Sequence, residues 1–210
     1  MASWIGGWMR KAFFTLAGVT LLIVVIVTGW DRFGRVYTPA WSRIDPPAQA
    51  PEIELAETNG GSFRLSELQG KLVLVFFGYT HCPDICPGTL KNMQFVFEQL
   101  GDQTGEVRFV FVTVDPARDT PERMRSYLAL FHPEFIGLTG SAEALERAYA
   151  DYTVNVVKGP AAGIAGYDVA HASRIFVIDR EGRLVGTFPY GLSRESILAD
   201  LQHLLSQQDT

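Results

Sequence analysis

Nineteen consecutive residues without a charge, Ala12 to Trp30, constrain this 210-residue chain more than any other feature in it. As a helix the run AFFTLAGVTLLIVVIVTGW would be about 28 Å long, close to the thickness of the bilayer core. A core helix of that length carries a polar stripe, and this run has none. A signal peptide has a shorter apolar region, roughly 7–15 residues, ending in small residues at a cleavage site; Thr28-Gly29-Trp30 makes a poor one. The expected organisation is a short tail over 1–11, an uncleaved transmembrane anchor over 12–30 and a tethered domain beyond. Arg10 and Lys11 precede the run, while Arg32 and Arg35, offset by Asp31, follow it. That asymmetry favours the tail inside and the domain outside. An anchor starting twelve residues in leaves no room for a mitochondrial targeting peptide, so a single-pass bacterial inner-membrane protein with a periplasmic domain is expected.

Residues 31–50 carry Pro46 and Pro47, with Pro51 just beyond, and show no helical periodicity, so they are expected to act as a linker. From residue 51 to about 207 the pattern is that of one α/β domain. Lys71 to Phe77, Val107 to Val114 and Arg174 to Asp179 are apolar runs suited to strands buried on both faces. Arg183 to Phe188 follows across Arg180-Glu-Gly, which predicts a hairpin. Helices are predicted over Pro87–Leu100, from Thr120-Pro121 to about Phe131, over Ser141–Asp151 and over Ser193–Ser206. A mixed sheet covered by helices on both faces accommodates this order. The Gly/Ala-rich stretch Lys158-Gly-Pro-Ala-Ala-Gly-Ile-Ala-Gly is expected to be a mobile loop. From Asp31 onward sixteen basic residues face twenty-three acidic ones, a net charge of −7, which excludes nucleic-acid binding by bulk charge.

The chain has two cysteines, Cys82 and Cys86, which excludes a disulfide-rich scaffold and any four-cysteine metal site. They lie in Gly78-Tyr-Thr-His-Cys-Pro-Asp-Ile-Cys-Pro87, between the first buried strand and its helix. With Pro87 at the first helical position, Cys86 would be the cap and Cys82 would sit in the turn before it, both near an exposed helix N-terminus that favours thiolate. Three readings of the pair stand side by side. It can be two buried apolar residues; a dithiol/disulfide couple, one residue longer than the usual Cys-x-x-Cys; or two thiolates for a soft metal such as Cu(I) or Zn(II), one donor short of a closed shell.

A histidine would supply the missing donor, and there are four. His203 falls in the C-terminal helix and His132 at a helix end before Pro133. His81 neighbours Cys82 but sits inside the turn. His171 follows the Gly/Ala loop and precedes a strand, where it is either an ordinary structural histidine or a ligand swung over the two sulfurs. Asp115, at the next strand end, suits a turn or cap role as well as a functional one. Arg118 and Asp119 suit pairing or capping at Pro121, Asp84 is a turn residue beside the sulfurs, and Phe76, Phe77, Phe109 and Phe111 read as core.

Taken together, Phe77-Gly-Tyr-Thr-His-Cys-Pro-Asp-Ile-Cys-Pro, Val114-Asp-Pro-Ala-Arg-Asp-Thr-Pro121 and Tyr167-Asp-Val-Ala-His171 resemble the three signature blocks of the SCO/SenC/PrrC family, over about Pro51 to Leu205. The resemblance implies a thioredoxin-like domain on a membrane anchor, with copper held by Cys82, Cys86 and His171. It implies a metallochaperone, rather than a catalyst of metabolic turnover, that assists assembly of the binuclear copper centre of cytochrome c oxidase. Its partners would be the copper-accepting oxidase subunit and a thioredoxin-like reductant or another copper donor. It also implies that Asp115 lies near the site, in metal binding or partner contact. The family commonly has an aspartate just before the histidine and a hydroxyl residue just after; this chain has Ala170 and Ala172, with Asp168 and Ser173 as candidate substitutes for orienting the imidazole. The alternative is a membrane-anchored thiol–disulfide oxidoreductase that keeps partner cysteines reduced, with Cys82 or Cys86 attacking. A peroxidase of related fold is a weaker third reading, because the residue set around one reactive cysteine is not identifiable.

Overall fold

The computed structural model describes residues 37–160, 167–170 and 173–207. The predicted anchor over 12–30, residues 161–166 of the Gly/Ala loop and His171 lie outside the described residues. By its internal contacts the chain divides into Met1–Thr38 and Pro39–Thr210, and the second unit carries the fold.

Each long apolar run is a strand, because only the centre of a sheet covered on both faces removes such a run from water. Leu72–Gly78 (β4) and Val107–Thr113 (β5) pair in parallel from Leu72↔Val107 to Gly78↔Thr113. Ile136–Thr139 (β6) extends the parallel set beyond β5, and Arg174–Ile178 (β9) runs antiparallel on the other side of β4. Arg183–Pro189 (β10) returns from β9 across the expected hairpin turn, where Gly182 adopts φ +77°. Ser42–Gln49 (β1) closes one edge, and Glu54–Glu57 (β2) with Ser62–Arg64 (β3) the other, in the order β1-β10-β9-β4-β5-β6-β2-β3. Val157–Lys158 (β7) and Val169–Ala170 (β8) form a separate two-stranded ladder.

β1 corrects the expectation of a linker reaching residue 50. Ser42 and Arg43 pair with Thr187 and Gly186, Ala48 and Gln49 pair with Leu184 and Arg183, and the register shifts between. Pro46 and Pro47 sit in that irregular stretch of an edge strand, where a missing N–H breaks no ladder bond. Trp41 anchors the strand. It packs on Phe188 with ring centroids 6.4 Å apart, and its backbone N–H donates to Asp200 Oδ2 at 3.0 Å.

Helices Ile85–Leu100 (α1), Pro121–Leu128 (α2), Ala142–Asp151 (α3) and Arg194–Ser206 (α4) match the predicted set. Thr120, Ser141 and Ser193 each accept a backbone N–H three residues on, as their type at a helix start requires. Alternate residues of β4 choose the layers. Phe76 faces Phe111, which contacts Tyr127 of α2, while Phe77 faces Tyr149 and Tyr152 on or beside α3. Phe76, Phe77, Phe109 and Phe111 are at most 1% exposed, so they are core. Among the described residues no helix is long and apolar enough to cross a membrane.

Candidate metal centre

The parallel register of β4 and β5 places the two loops of interest side by side. Gly78 and Thr113 are partners, and the Val114 N–H donates to the Gly78 carbonyl at 2.8 Å. The cysteine turn and the Val114–Pro121 loop therefore leave the sheet together at the carboxyl ends of their strands, where open α/β folds gather ligands.

The helix after the cysteine turn starts earlier than its sequence suggests. Its first residue is Ile85, with Asp84 rather than Cys86 at the cap position, and Gly88 N–H closes the first turn on the Asp84 carbonyl at 3.0 Å. Pro87 is tolerated there because the first helical N–H groups have no partner within the helix anyway. Asp84 makes no side-chain cap. The sulfur of Cys82 takes that place, accepting the Cys86 N–H at 3.3 Å.

The two sulfurs are not equivalent, which corrects the expectation of a pair exposed at one helix end. Cys82 is half-buried and Cys86 is fully buried; both are present as thiols. Hydrogen bonding to Cys82, then burial, pushes the Cys86 thiol well above its ordinary pKa. Cys82, which accepts a helix N-terminal N–H, is the sulfur placed to carry negative charge. It lines an open cleft of about 360 Å³ with Tyr79, Asp84, Asp168, Ala170 and Ser173. Ala170 directly precedes His171 in the chain and Ser173 lies two residues after it, and Asp168 and Ser173, the candidate substitutes, both line this cleft.

Beneath the turn lies a buried carboxylate, Asp119, whose position in the sequence suits pairing or capping. Asp119 is 1% exposed. It accepts the Thr80 N–H on both oxygens at 3.2 and 3.1 Å, the Thr80 hydroxyl at 2.6 Å and the Thr113 hydroxyl at 2.7 Å. Arg123 Nε adds a bond to Thr80 Oγ1 at 2.9 Å, and His81 Nδ1 lies 3.7 Å from Asp119 Oδ1. The cap is Thr120 instead. Nothing in the spacing distinguishes Asp119 from a cap, because its main partner, Thr80, lies thirty-nine residues away in sequence.

Asp115 is also buried, and its carboxylate is engaged. Arg118 Nε donates to Oδ2, the Tyr167 hydroxyl donates to Oδ1 at 2.5 Å, and Lys158 Nζ lies 3.9 Å from Oδ1. Asp115 N–H donates to Thr113 Oγ1 at 3.0 Å, so the turn role is real as well. The hydrogen bond to Asp115 raises the Tyr167 phenol above its ordinary pKa and keeps it a donor. Among the described residues, no three His, Cys, Asp or Glu side chains converge on one point suited to a metal, so Asp115 does not join the cysteines in such a group. The other histidines are occupied elsewhere: His132 packs on Phe97 and Phe135, and His203 bonds Gln207 at 2.7 Å.

The SCO1/SenC family model matches residues 43–206. This chain belongs to the SCO1/SenC family. A SCO2-like protein of Rickettsia felis is 36% identical over 152 residues, covering 72% of this chain and 74% of that protein. Among solved structures, Bradyrhizobium japonicum ScoI with copper bound is 36% identical with a TM-score of 0.69, covering 75% of this chain and 99% of that one. Apo Sco1 of Thermus thermophilus is 38% identical with a TM-score of 0.72, covering 81% and 99%. The mixed α/β, thioredoxin-like architecture of the SCO1/SenC fold is thus this chain's own, and the first of these homologous structures holds copper.

Proposed function

We propose that this SCO1/SenC protein is a membrane-anchored copper chaperone that carries its cargo on Cys82, Cys86 and His171 and serves assembly of the copper centre of cytochrome c oxidase. One observation carries the reading: the half-buried sulfur of Cys82 and the nearest described residues before and after His171, Ala170 and Ser173, line the same cleft. Two sulfurs in hydrogen-bonded contact at one helix start suit a soft ion, and an imidazole would complete a three-donor set favourable to Cu(I). Loading would displace the Cys86 proton, so metal binding releases acid and is blocked when the pair is oxidised. The uncharged run 12–30, with Arg10 and Lys11 before it, supports a single-pass anchor holding the domain in the periplasm of a bacterial inner membrane. The receiving partner would be the copper-accepting oxidase subunit.

The inequality of the two sulfurs favours one second reading, an anchored thiol–disulfide reductase in which Cys82 attacks and Cys86 resolves the mixed disulfide. Titration of the reduced full-length chain in detergent with Cu(I), against a competing chelator, separates the two. The chaperone reading expects one copper per chain and a loss of at least tenfold in affinity for His171→Ala. Equally poor binding by both proteins defeats it. The reductase reading expects Cys86→Ser to accumulate mixed disulfides and His171→Ala to be silent.

A further inference from the structure

The three sequence blocks meet in one stacked cluster. Tyr79 follows β4, Arg118 lies in the loop after β5, and Tyr167 precedes β8. The Arg118 guanidinium lies 3.8 Å from the Tyr167 ring centroid and 5.8 Å from that of Tyr79. Asp115 holds both ends of this stack, one oxygen taking Arg118 Nε and the other the Tyr167 hydroxyl. Tyr79 closes the circuit, its hydroxyl accepting the Val169 N–H at 3.3 Å.

Among the described residues, the strand so gripped is otherwise held by the buried Val169 side chain and by short backbone pairing. Val169–Ala170 pairs with Val157–Lys158 over two residues each, and Gly159 N–H adds one bond to the Asp168 carbonyl at 2.8 Å. A two-residue ladder outside the main sheet is marginal by itself. A buried carboxylate with both oxygens occupied and an arginine stacked on an aromatic face is the stronger restraint.

We propose that Asp115, Arg118 and Tyr167 form a latch that positions the Tyr167–Ala170 strand, and through it the adjoining His171, so that Asp115 aids copper retention as a positioning residue and not as a ligand. The copper half of this rests on His171 being the third donor. The latch itself does not.

The test uses the full-length chain in detergent, reduced, with two readouts: amide hydrogen exchange at 167–170 without metal, and Cu(I) affinity by chelator competition. Tyr167→Phe, which removes one hydroxyl and keeps the ring, is expected to speed exchange at 167–170 about tenfold and to weaken Cu(I) binding about tenfold, the size of one hydrogen bond to a charged partner. Asp115→Asn is expected to do at least as much. In a His171→Ala background neither substitution should lower affinity further. Unchanged exchange in Tyr167→Phe overturns the latch. A loss from Asp115→Asn that persists in the His171→Ala background overturns the positioning role and makes Asp115 a ligand. If His171→Ala alone leaves affinity unchanged, the ligand reading of His171 falls, and exchange alone judges the latch.

Discussion

Replacing Asp119 with alanine should test the buried bracket under the cysteine turn more sharply than any change to the cysteines. Its side chain has no exposure to solvent, so solvent screening does not weaken its bonds. The substitution leaves the Thr80 N–H and the Thr113 hydroxyl without their acceptor; the Thr80 hydroxyl can turn to His81 Nδ1, 3.3 Å away. Each buried donor left unsatisfied costs about 1–3 kcal/mol. Release of a carboxylate from a buried site returns part of this, leaving a net loss of about 3 kcal/mol. For a domain of this size that is a fall in Tm of roughly 6–12 °C. Thr113→Val, which removes one donor to Asp119 and the acceptor of the Asp115 N–H but leaves the Thr80 bonds in place, should cost about 1–3 kcal/mol. Thermal unfolding by circular dichroism of the reduced, metal-free protein measures both. A shift below about 2 °C for Asp119→Ala would refute the argument that this carboxylate ties the two loops together.

Two other changes probe the packing. Tyr149→Phe should lose about 1 kcal/mol, since its hydroxyl donates to the Thr113 carbonyl at 2.6 Å, whereas Tyr127→Phe should be neutral or slightly stabilising, since its buried hydroxyl has no partner among the described residues. Urea unfolding midpoints compare them, and equal losses would contradict the assignment. Gly186→Ala would place a Cβ 2.3 Å from the Trp41 ring and 2.4 Å from the Ser42 carbonyl oxygen. Backbone cannot yield like a flexible side chain, so a loss of about 1–3 kcal/mol and faster proteolysis within 42–49 are expected.

Much of the fold was legible because burial on both faces writes itself into composition. The runs that became β4, β5, β9 and β10 are apolar, and Thr120, Ser141 and Ser193 mark helix starts by side-chain chemistry alone. The short strands were not legible. β2, β3 and β6 have three or four residues each, too few for a period, and β1 contains two prolines that read as linker until an edge position accommodates them.

The site divides in the same way. Sequence alone placed two sulfurs between a strand and a helix, because a run of apolar residues followed by prolines and a helical pattern is a local signal. It also singled out Asp115 and His171 by their blocks. Only the tertiary structure decided that Cys86 is buried while Cys82 faces a cleft, that Asp119 braces the cysteine turn, and that Asp115 is spent on Arg118 and Tyr167. Burial and hydrogen-bond partnership are relations between segments of this site as much as ninety residues apart. They arise from the parallel register of β4 and β5, and no window of sequence contains them.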